Sequence, residues 1–316
     1  MAQYRVVAGR TVRIGRVSRP VERLLVAVNP AASFGRNREV GGVLAERLIA
    51  EGYDVRLMHE ANLELLRRET EEAFAQGVDG LIVVGGDGMV SLGVNVLAGS
   101  DVPFGLVAAG TGNDFARALG VPHDDPARAI DALVDALRRP PTAVDVAVAR
   151  HGELSTRYGV VLSAGFDAVV NERANRMVRP GGPSRYVLAL MRELATFRPR
   201  TYTLEIDGVT RTQRAMLVSV ANTPSLGGGM RIVPDAELTD GLLDVFIVHP
   251  LSRAALLRVL PRVYAGEHVH HPAVEFVRAR HVRIDADDVV AYADGERIGA
   301  LPVEVEVAPG ALRVFR

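Results

Sequence analysis

At 316 residues, with 48% hydrophobic and 24% charged residues, the chain is long enough for two domains, and a single core would be unusually large. A net charge of −1 gives no overall attraction to nucleic acid, and the absence of cysteine excludes disulfides, zinc–thiolate sites and thiol nucleophiles. No apolar run approaches the roughly 18 residues that span a bilayer, and the basic N-terminal segment lacks the apolar stretch of a secretory signal. That segment is interpreted as a solvated extension, with a membrane-touching arm as the alternative.

Between about residue 23 and residue 140, short apolar runs alternate with stretches of helical periodicity. Strands are predicted at residues 24–28, 53–58, 81–84 and 104–109. Helices are predicted at residues 40–48, 63–74 and 127–139. Gly52 and Gly77 end the first two helices, and Asp125 caps the third. This order predicts a parallel sheet with helices on both faces, whose ligands bind beyond the carboxyl ends of the strands.

After Pro140 and Pro141 the chain becomes rich in short strands. Segments of β type lie at residues 144–149, 157–166, 201–207, 214–222 and 242–248. Helices are predicted at residues 183–197 and 251–264, the second with Ser252 near its start, and the segments 282–286 and 289–299 predict a late hairpin. The predicted fold class is therefore an N-terminal α/β domain with a parallel sheet, followed by a C-terminal antiparallel β-sandwich domain.

The strongest local motif is LIVVGGDGMV, where a buried strand ends in Gly85, Gly86, Asp87 and Gly88 before a helix begins. Glycines let the backbone approach phosphates closely, and the N-terminus of the following helix favours anions. Asp87 adds a carboxylate beside those phosphates, which makes chemical sense if Mg²⁺ bridges them. The alternative is a tight strand-to-helix turn with an exposed aspartate.

A second glycine turn follows the next strand, in VAAGTGNDFARALG. Gly110, Thr111 and Gly112 form another turn suited to phosphate, and Asn113 with Asp114 caps a short helix. Simple helix capping is the alternative explanation. Because both turns follow neighbouring strands, we expect them to face one crevice.

The motifs VNPAASFGR, GGDG, GTGNDFARALG, PDAELTDGLLDV and ADGER occur in the order found in the diacylglycerol kinase catalytic family, which the chain resembles from about Leu24 onward. It looks like the bacterial soluble diacylglycerol kinases, whereas NAD kinases and phosphofructokinases share GGDG but lack GTGNDFAR and DGLLDV. The resemblance implies a nucleotide-binding domain at 21–143, completed by a return of residues 308–316. It also implies a lipid-substrate domain at 144–307 and an active site in the cleft between the two.

Carried over residue by residue, the resemblance implies three catalytic residues and a set of nucleotide contacts. Asp87 and Asp114 match acidic residues that the family needs for activity, and Glu296 matches the proposed general base. Contacts with ATP are implied for Asn29, Pro30, Gly35, Gly85, Gly86, Asp87, Gly88, Thr111, Gly112 and Asn113. Without the resemblance, Glu296 would be interpreted as a hairpin residue, because Asp-Gly is a strong turn signal.

The resemblance also implies a structural Mg²⁺ site in the second domain. Asp240 and the backbone carbonyls of Glu237 and Leu242 match its ligands, and Asp145 matches a residue that links the ion to the active site.

Three features depart from the family pattern. Met89 replaces the usual threonine of GGDGT, Ser91 and Leu92 replace a common Asn-Glu pair, and the threonine expected after the second strand is missing. These changes remove polar contacts near the nucleotide, so they bear on ATP affinity more than on the reaction class.

Two further clusters have alternative explanations. His268, His270 and His271 suggest zinc, but no thiol ligand is present and the family that the chain resembles also carries histidine at positions 268 and 271, so structural or interfacial histidines are favoured. The segment 171–200 carries seven arginines and two acids around a helical apolar stripe. Such a helix can lie against anionic lipid, or it can pack its stripe on the β domain.

Together these features predict an ATP- and Mg²⁺-dependent lipid kinase, cytoplasmic and peripherally membrane-associated, that phosphorylates diacylglycerol or a close relative. The alternatives are a kinase of a sphingoid base or glycolipid, an NAD kinase, and a non-catalytic nucleotide- or lipid-binding regulator. The last is disfavoured because Asp87, Asp114 and Glu296 are intact. The expected partner is a lipid at a membrane surface and not nucleic acid, and a homodimer is compatible with the sequence.

Overall fold

The computed structural model describes residues 4–7, 10–13, 21–29, 36–60, 62–166, 168, 170, 173 and 198–316. The predicted helix at 183–197, most of the arginine-rich segment, and the predicted nucleotide contacts Pro30 and Gly35 lie outside these residues. The N-terminal segment contains two short strands that pair antiparallel, β1 (Tyr4–Val7) and β2 (Arg10–Arg13), where a solvated extension was expected.

The first half of the chain forms a parallel sheet in the order β4-β3-β5-β6, as the sequence predicts. The strands are β3 (Arg23–Val28), β4 (Asp54–His59), β5 (Gly80–Gly85) and β6 (Phe104–Ala108). The helices are α1 (Arg36–Ala50), α2 (Leu63–Ala75), α3 (Asp87–Val96), α4 (Asp114–Leu119) and α5 (Pro126–Ala136).

Alternate residues of the buried strands face helices on opposite sides of this sheet. Leu25 belongs to a core that includes Leu66 of α2 and Leu92 of α3. The next residue, Val26, belongs to a separate core with Leu44 of α1 and other residues of α1 and α5. Successive side chains of a strand point to opposite faces of the sheet. Because helices cover both faces, residues on both faces of a central strand are buried, which explains the continuous apolar runs.

The second half supplies a further series of strands. They are β7 (Thr142–His151), β8 (Leu154–Tyr158), β9 (Val161–Gly165), β10 (Arg200–Ile206), β11 (Val209–Ala215), β12 (Leu217–Ala221), β13 (Leu243–Val248), β14 (Val274–Ala279), β15 (His281–Asp285), β16 (Val290–Ala293), β17 (Glu296–Ala300) and β18 (Val303–Val314). Helix α6 (Arg253–Ala265) and a short 3₁₀ helix (Glu267–His270) lie between β13 and β14.

These strands form two antiparallel layers. One layer continues the first sheet in the order β11-β10-β15-β18-β6, with β7 also pairing with β18, and the other has the order β14-β13-β12-β9-β16-β17. Tyr202 and Leu204 of the first layer share a buried core with Val218 and Val245 of the second. The predicted β-sandwich, and with it the predicted fold class, is confirmed.

Strand β18 joins the two halves. It pairs antiparallel with β7 and β15, and near its end Val314 pairs parallel with Phe104 of β6. Phe315 then packs in the core of the first sheet beside Leu24. A late segment therefore returns to the first sheet, although the division at residues 143 and 307 stays a prediction, since β18 runs across the second of these points.

The predicted late hairpin is wrong in its pairing. Strand β15 lies between β10 and β18 in the first layer, whereas β16 pairs with β17 and β9 in the second. The hairpin is β16–β17, and its two-residue turn is Asp294-Gly295, with φ angles of 48° and 86°. Asp-Gly is favoured in such turns because both central residues take positive φ.

Two helix starts follow the predicted capping chemistry. The Asp125 carboxylate accepts the backbone N–H of Ala127 at 2.9 Å at the start of α5, and the Ser252 hydroxyl accepts that of Ala255 at 3.2 Å at the start of α6. Within the described ranges, no helix is both long and apolar enough to cross a bilayer.

Candidate active site

The two glycine turns meet at the carboxyl ends of β5 and β6. A β-carbon on Gly110 would lie 2.4 Å from the Cα of Gly86, and one on Gly86 would lie 3.0 Å from the Cα of Gly110. The turns thus pack backbone against backbone, which larger residues would prevent. The expectation that both turns face one crevice is consistent with this contact, because each precedes a helix that starts at the same edge of the sheet.

Asp87 is the first residue of α3 and faces the second turn. Its Oδ1 accepts the N–H of Phe115 at 3.2 Å, and a β-carbon on Gly112 would lie 2.6 Å from its Oδ2. Burial, and the nearby Asp114 carboxylate, raise the pKa of Asp87. A carboxylate in this setting is stabilised by a cation, so the position fits an ion that accompanies phosphates.

Asp114 is almost fully buried, and its carboxylate is held mainly by a loop of the second domain. Oδ1 accepts the Ser225 hydroxyl at 2.7 Å and the Gly229 N–H at 2.9 Å, and Oδ2 accepts the Gly228 N–H at 2.7 Å. Arg117 adds an ion pair to Oδ1 at 3.2 Å. These contacts are those of a tether between domains, and the catalytic role predicted for Asp114 stays a prediction.

The sequence reasoning missed the loop that holds Asp114. Its signal is the run Gly227-Gly228-Gly229, in which all three residues take positive φ, from 67° to 97°. Only glycine adopts these angles without strain, and the arrangement directs successive N–H groups at one carboxylate.

Asn113 does not cap α4 with its side chain, contrary to the prediction. Its backbone is left-handed, with φ of 55°, and its Oδ1 accepts the Gly110 N–H at 3.0 Å. Its Nδ2 donates to the carbonyls of Gly110 and His123 at 3.0 and 2.9 Å. The carboxamide therefore shapes the glycine turn, and Thr111 is exposed at its tip.

Asp294 is a second residue that sequence reasoning passed over, because Asp-Gly was interpreted as a turn. Its carboxylate accepts the N–H groups of Gly159, Val160 and Val161 at 2.8, 3.0 and 3.1 Å. Burial raises the pKa of Asp294 to about 7, with a further rise from Asp87, against the effect of these hydrogen bonds. Gly159 also lies against Phe115, since a β-carbon on it would be 3.0 Å from the Phe115 ring, and the Phe115 N–H donates to Asp87. The β16–β17 turn therefore lies near the glycine turns.

Glu296 begins β17, directly after this turn. Its two carboxylate oxygens lie 3.3 and 3.5 Å from Nη2 of Arg67 on α2, an ion pair that crosses the cleft between the domains. The structure thus brings Glu296 to the cleft, as the resemblance implies, and its role as a base stays a prediction.

The remaining first-domain positions lie around the same edge. Asn29 directly follows β3, and its N–H donates to the Val84 carbonyl at 3.5 Å. Met89, Ser91 and Leu92 are all buried in α3, so they pack beneath the glycine turn instead of offering contacts at its surface. The expected effect on ATP affinity stays a prediction.

The predicted structural ion site contains an unusual carboxylate oxygen. Asp240 Oδ1 accepts the Leu242 N–H at 3.0 Å, whereas Oδ2 is buried without a hydrogen bond. Arg278 forms an ion pair with that oxygen, with its Nη1 3.8 Å away. An orphaned buried carboxylate oxygen fits a bound ion, although the described residues contain no cluster of three acidic or histidine side chains.

Asp145 connects this site with the cleft through Asn222. The Asp145 carboxylate accepts the N–H groups of Gly241 and Gly310, both at 2.7 Å. Asn222 Nδ2 donates to the carbonyls of Asp145 and Gly159 at 3.0 and 2.9 Å, and the Gly159 N–H reaches Asp294. Asn222, which the sequence analysis did not single out, is therefore a buried bridge between two predicted sites.

The histidine cluster is structural where it is buried. His268 Nε2 lies 2.9 Å from the Ile232 carbonyl, and its ring packs edge-on against Phe246 and Phe276. Burial lowers the pKa of His268. The zinc interpretation gains no support from the part of the chain that the structure describes.

Comparisons with known proteins agree with this geometry. The family model "Diacylglycerol kinase catalytic domain" matches residues 23–149, and "YegS C-terminal NAD kinase beta sandwich-like domain" matches residues 159–316. A diacylglycerol kinase of Mycobacterium tuberculosis strain H37Rv is 36% identical over 298 residues, which cover 94% of this chain and 96% of the relative. This chain belongs to the diacylglycerol kinase family.

A second relative supports the same assignment, and a solved structure shares the fold. A diacylglycerol kinase of Bacillus subtilis strain 168 is 30% identical over 239 residues, 74% of this chain and 76% of the relative. The crystal structure of a diacylglycerol kinase from Bacillus anthracis str. Sterne shares the fold with a TM-score of 0.70 at 24% identity, over 93% and 96% of the two chains. The family resemblance inferred from the motifs is confirmed, and membership of a kinase family implies the use of ATP.

Proposed function

We propose that this protein is an ATP- and Mg²⁺-dependent kinase that phosphorylates the hydroxyl of diacylglycerol, giving phosphatidic acid, or of a closely related lipid. The observation that supports this most is the arrangement of the cleft, where the paired glycine turns and Asp87 face the hairpin that carries Glu296. A phosphate-binding edge and a candidate proton acceptor are thereby supplied by different domains across one crevice.

In the proposed reaction the lipid hydroxyl oxygen attacks the γ-phosphorus, the bond from that phosphorus to the bridging oxygen breaks, and ADP leaves. Glu296 accepts the hydroxyl proton, for which its carboxylate must lie within about 3 Å of the oxygen. The N–H groups of the glycine turns hold the phosphates, since phosphoryl transfer depends mainly on positioning and charge neutralisation. Mg²⁺, when bound beside Asp87, would neutralise the phosphates, and a second ion would be held by Asp240.

The alternative functions are phosphorylation of a different acceptor and regulation without any reaction. The names of the relatives favour diacylglycerol over a sphingoid base, a glycolipid or NAD. A regulator without catalysis would need no candidate base beside the phosphate turns.

The lipid substrate requires a membrane surface, so we also propose peripheral membrane association on the cytoplasmic side. Arg198 and Arg200, at the end of the arginine-rich segment, are exposed. Sedimentation with anionic vesicles should weaken as salt rises, because charge attraction is screened beyond about 8 Å at physiological ionic strength. Equal binding to neutral and anionic vesicles would contradict this. The homodimer stays an expectation for which sedimentation velocity is the test.

The deciding experiment incubates the protein with labelled ATP, Mg²⁺ and mixed micelles that contain diacylglycerol, a sphingoid base or a glycolipid, with NAD in a separate reaction. Labelled phosphatidic acid from the wild type, and none from Asp87→Asn, is the expected result. If only another acceptor is labelled, that acceptor is the substrate in place of diacylglycerol. If no acceptor is labelled, the result favours a regulator without catalysis.

A further inference from the structure

The ion pair between Arg67 and Glu296 joins two rigid elements across the cleft. Arg67 lies in the second turn of α2, whose start is capped by Asn62 and whose Leu66 and Thr70 are buried. Glu296 follows the turn whose Asp294 accepts three backbone N–H groups. The fold therefore fixes where the two residues leave the backbone on either side of the cleft.

The neighbouring residue Arg68 shows what an ordinary arginine does on this helix. Its side chain is 62% exposed and pairs with Glu69 and Glu72 of α2 at 3.5 and 3.9 Å. Arg67 instead turns away from its own helix and is 33% exposed. Its ion pair is with Glu296, which belongs to the second domain.

The pair contributes little to the stability of the fold, because half-exposed ion pairs are screened by water and restrict two long side chains. Such a contact can contribute more to the orientation of a carboxylate than to the stability of the fold. Glu296 is 38% exposed, and one guanidinium nitrogen of Arg67 lies near both of its oxygens at the cleft.

We propose that Arg67 is a positioning residue for Glu296, holding its carboxylate where the hydroxyl of the lipid acceptor must deliver its proton. This inference rests on the proposed function. A general base acts only within hydrogen-bonding distance of its proton, and a displacement of about 1 Å can cost about 100-fold in rate. Arg67 sits on the nucleotide side of the cleft, so the base is oriented by the domain that holds the phosphoryl donor.

The test measures kcat and KM for Arg67→Met, Arg67→Lys and the matched control Arg68→Met, with ATP and the lipid accepted by the wild type. Arg67→Met should lower kcat by about 10- to 100-fold, because the base loses its orientation. The KM for ATP should stay within about twofold, since other groups hold the phosphates, and Arg67→Lys should recover part of kcat. Arg68→Met should match the wild type, and the melting temperature of all three variants should be close to it.

A double-mutant cycle with Glu296→Gln separates positioning from an independent role. If Arg67 acts through Glu296, adding Arg67→Met to Glu296→Gln should change kcat by less than about twofold, since interacting residues are non-additive. The inference is overturned if the two effects are fully additive or if kcat is unchanged in Arg67→Met. It is also overturned if Arg67→Met raises kcat, which would indicate that the ion pair inhibits the enzyme. In each of these cases an active wild type still supports the proposed function. A wild type inactive on every acceptor overturns both.

Discussion

The carboxylate of Asp114, in the first domain, accepts a 2.7 Å hydrogen bond from the hydroxyl of Ser225, in the second. Two N–H groups of the glycine loop complete this contact, so the same residue could serve catalysis, domain docking or both. The structure favours docking, because both oxygens already have partners within the protein.

Asp114→Asn should therefore lower the free energy of unfolding by about 2 kcal/mol, since buried hydrogen bonds to a charged group are weakened. Thermal melting of the variant checks this, with Ser225→Ala as a companion that removes one donor and should cost about 1 kcal/mol. An Asp114→Asn variant with the melting temperature of the wild type and no activity would instead support a catalytic role.

Gly110→Ala should abolish nucleotide binding or folding, because a β-carbon there would overlap the backbone of Gly86. Neither backbone segment can move without opening a glycine turn. Gly42→Ala on α1 is the matched control, since its β-carbon would meet nothing within 4 Å. Alanine is favoured over glycine in a helix by roughly 0.5–1 kcal/mol, so this control should melt at or slightly above the wild-type temperature. Wild-type ATP affinity in Gly110→Ala would contradict the proposed packing of the turns.

Asp87→Asn should abolish kinase activity without loss of stability. Burial and Asp114 oppose the charge of Asp87, so a neutral residue of the same shape is tolerated by the fold. The charge is needed only beside the metal and the phosphates. Kinetics and melting curves measure the two effects separately, and activity within about threefold of the wild type, less than 1 kcal/mol of barrier, would remove Asp87 from the mechanism.

Magnesium should raise the melting temperature of the wild type, and Asp240→Ala should remove that response, because a ligand that binds the folded state stabilises it by mass action. Arg278 lies 3.8 Å from the orphaned Asp240 oxygen and 3.5 Å from Asp244, so it competes for the same negative charge. Arg278→Met should melt lower without Mg²⁺ and show a larger rise with it. A wild type that responds to neither Mg²⁺ nor chelator would refute the structural ion.

The stability of the protein should fall in mild acid partly through His268. Burial lowers the pKa of His268 in the folded state below its usual value of about 6.5, so the unfolded state binds the proton first as pH falls. The contribution of neutral His268 to the free energy of unfolding is complete above about pH 6.5 and is lost as the pH falls below that value. His268→Gln should flatten the dependence of melting temperature on pH between about 7 and 5. The exposed His270→Gln should leave the slope unchanged, and an equal slope in both variants would exclude this explanation.

The parallel sheet and the phosphate turns could be predicted because their signals are local. Each buried strand is a continuous apolar run, and each turn is a short glycine motif between a strand and a helix. Asp294 and Asn222 could not be assigned in this way. Asp294 meets Gly159 only when β16 pairs with β9, and Asn222 meets Asp145 only after the two β layers stack, and no local pattern fixes those partners.

The Arg67–Glu296 pair could not be predicted from local patterns either, because α2 and β17 belong to different domains. The wrong pairing of β15 has a related cause. A turn motif predicts that two neighbouring strands reverse direction, but it does not determine in which of two stacked layers each of them lies.

The insertion of β18 beside β6 makes the first domain vulnerable on its own. Without β18, Phe104 would lose its partner Val314 and the first sheet would lose Phe315 from its core, and exposed apolar edges of this kind recruit other chains. Val314 must find Phe104 only after most of the chain has been made, which is a slow, long-range closure. A fragment covering residues 21–143 should therefore aggregate when expressed alone, whereas the chain that includes β18 should not.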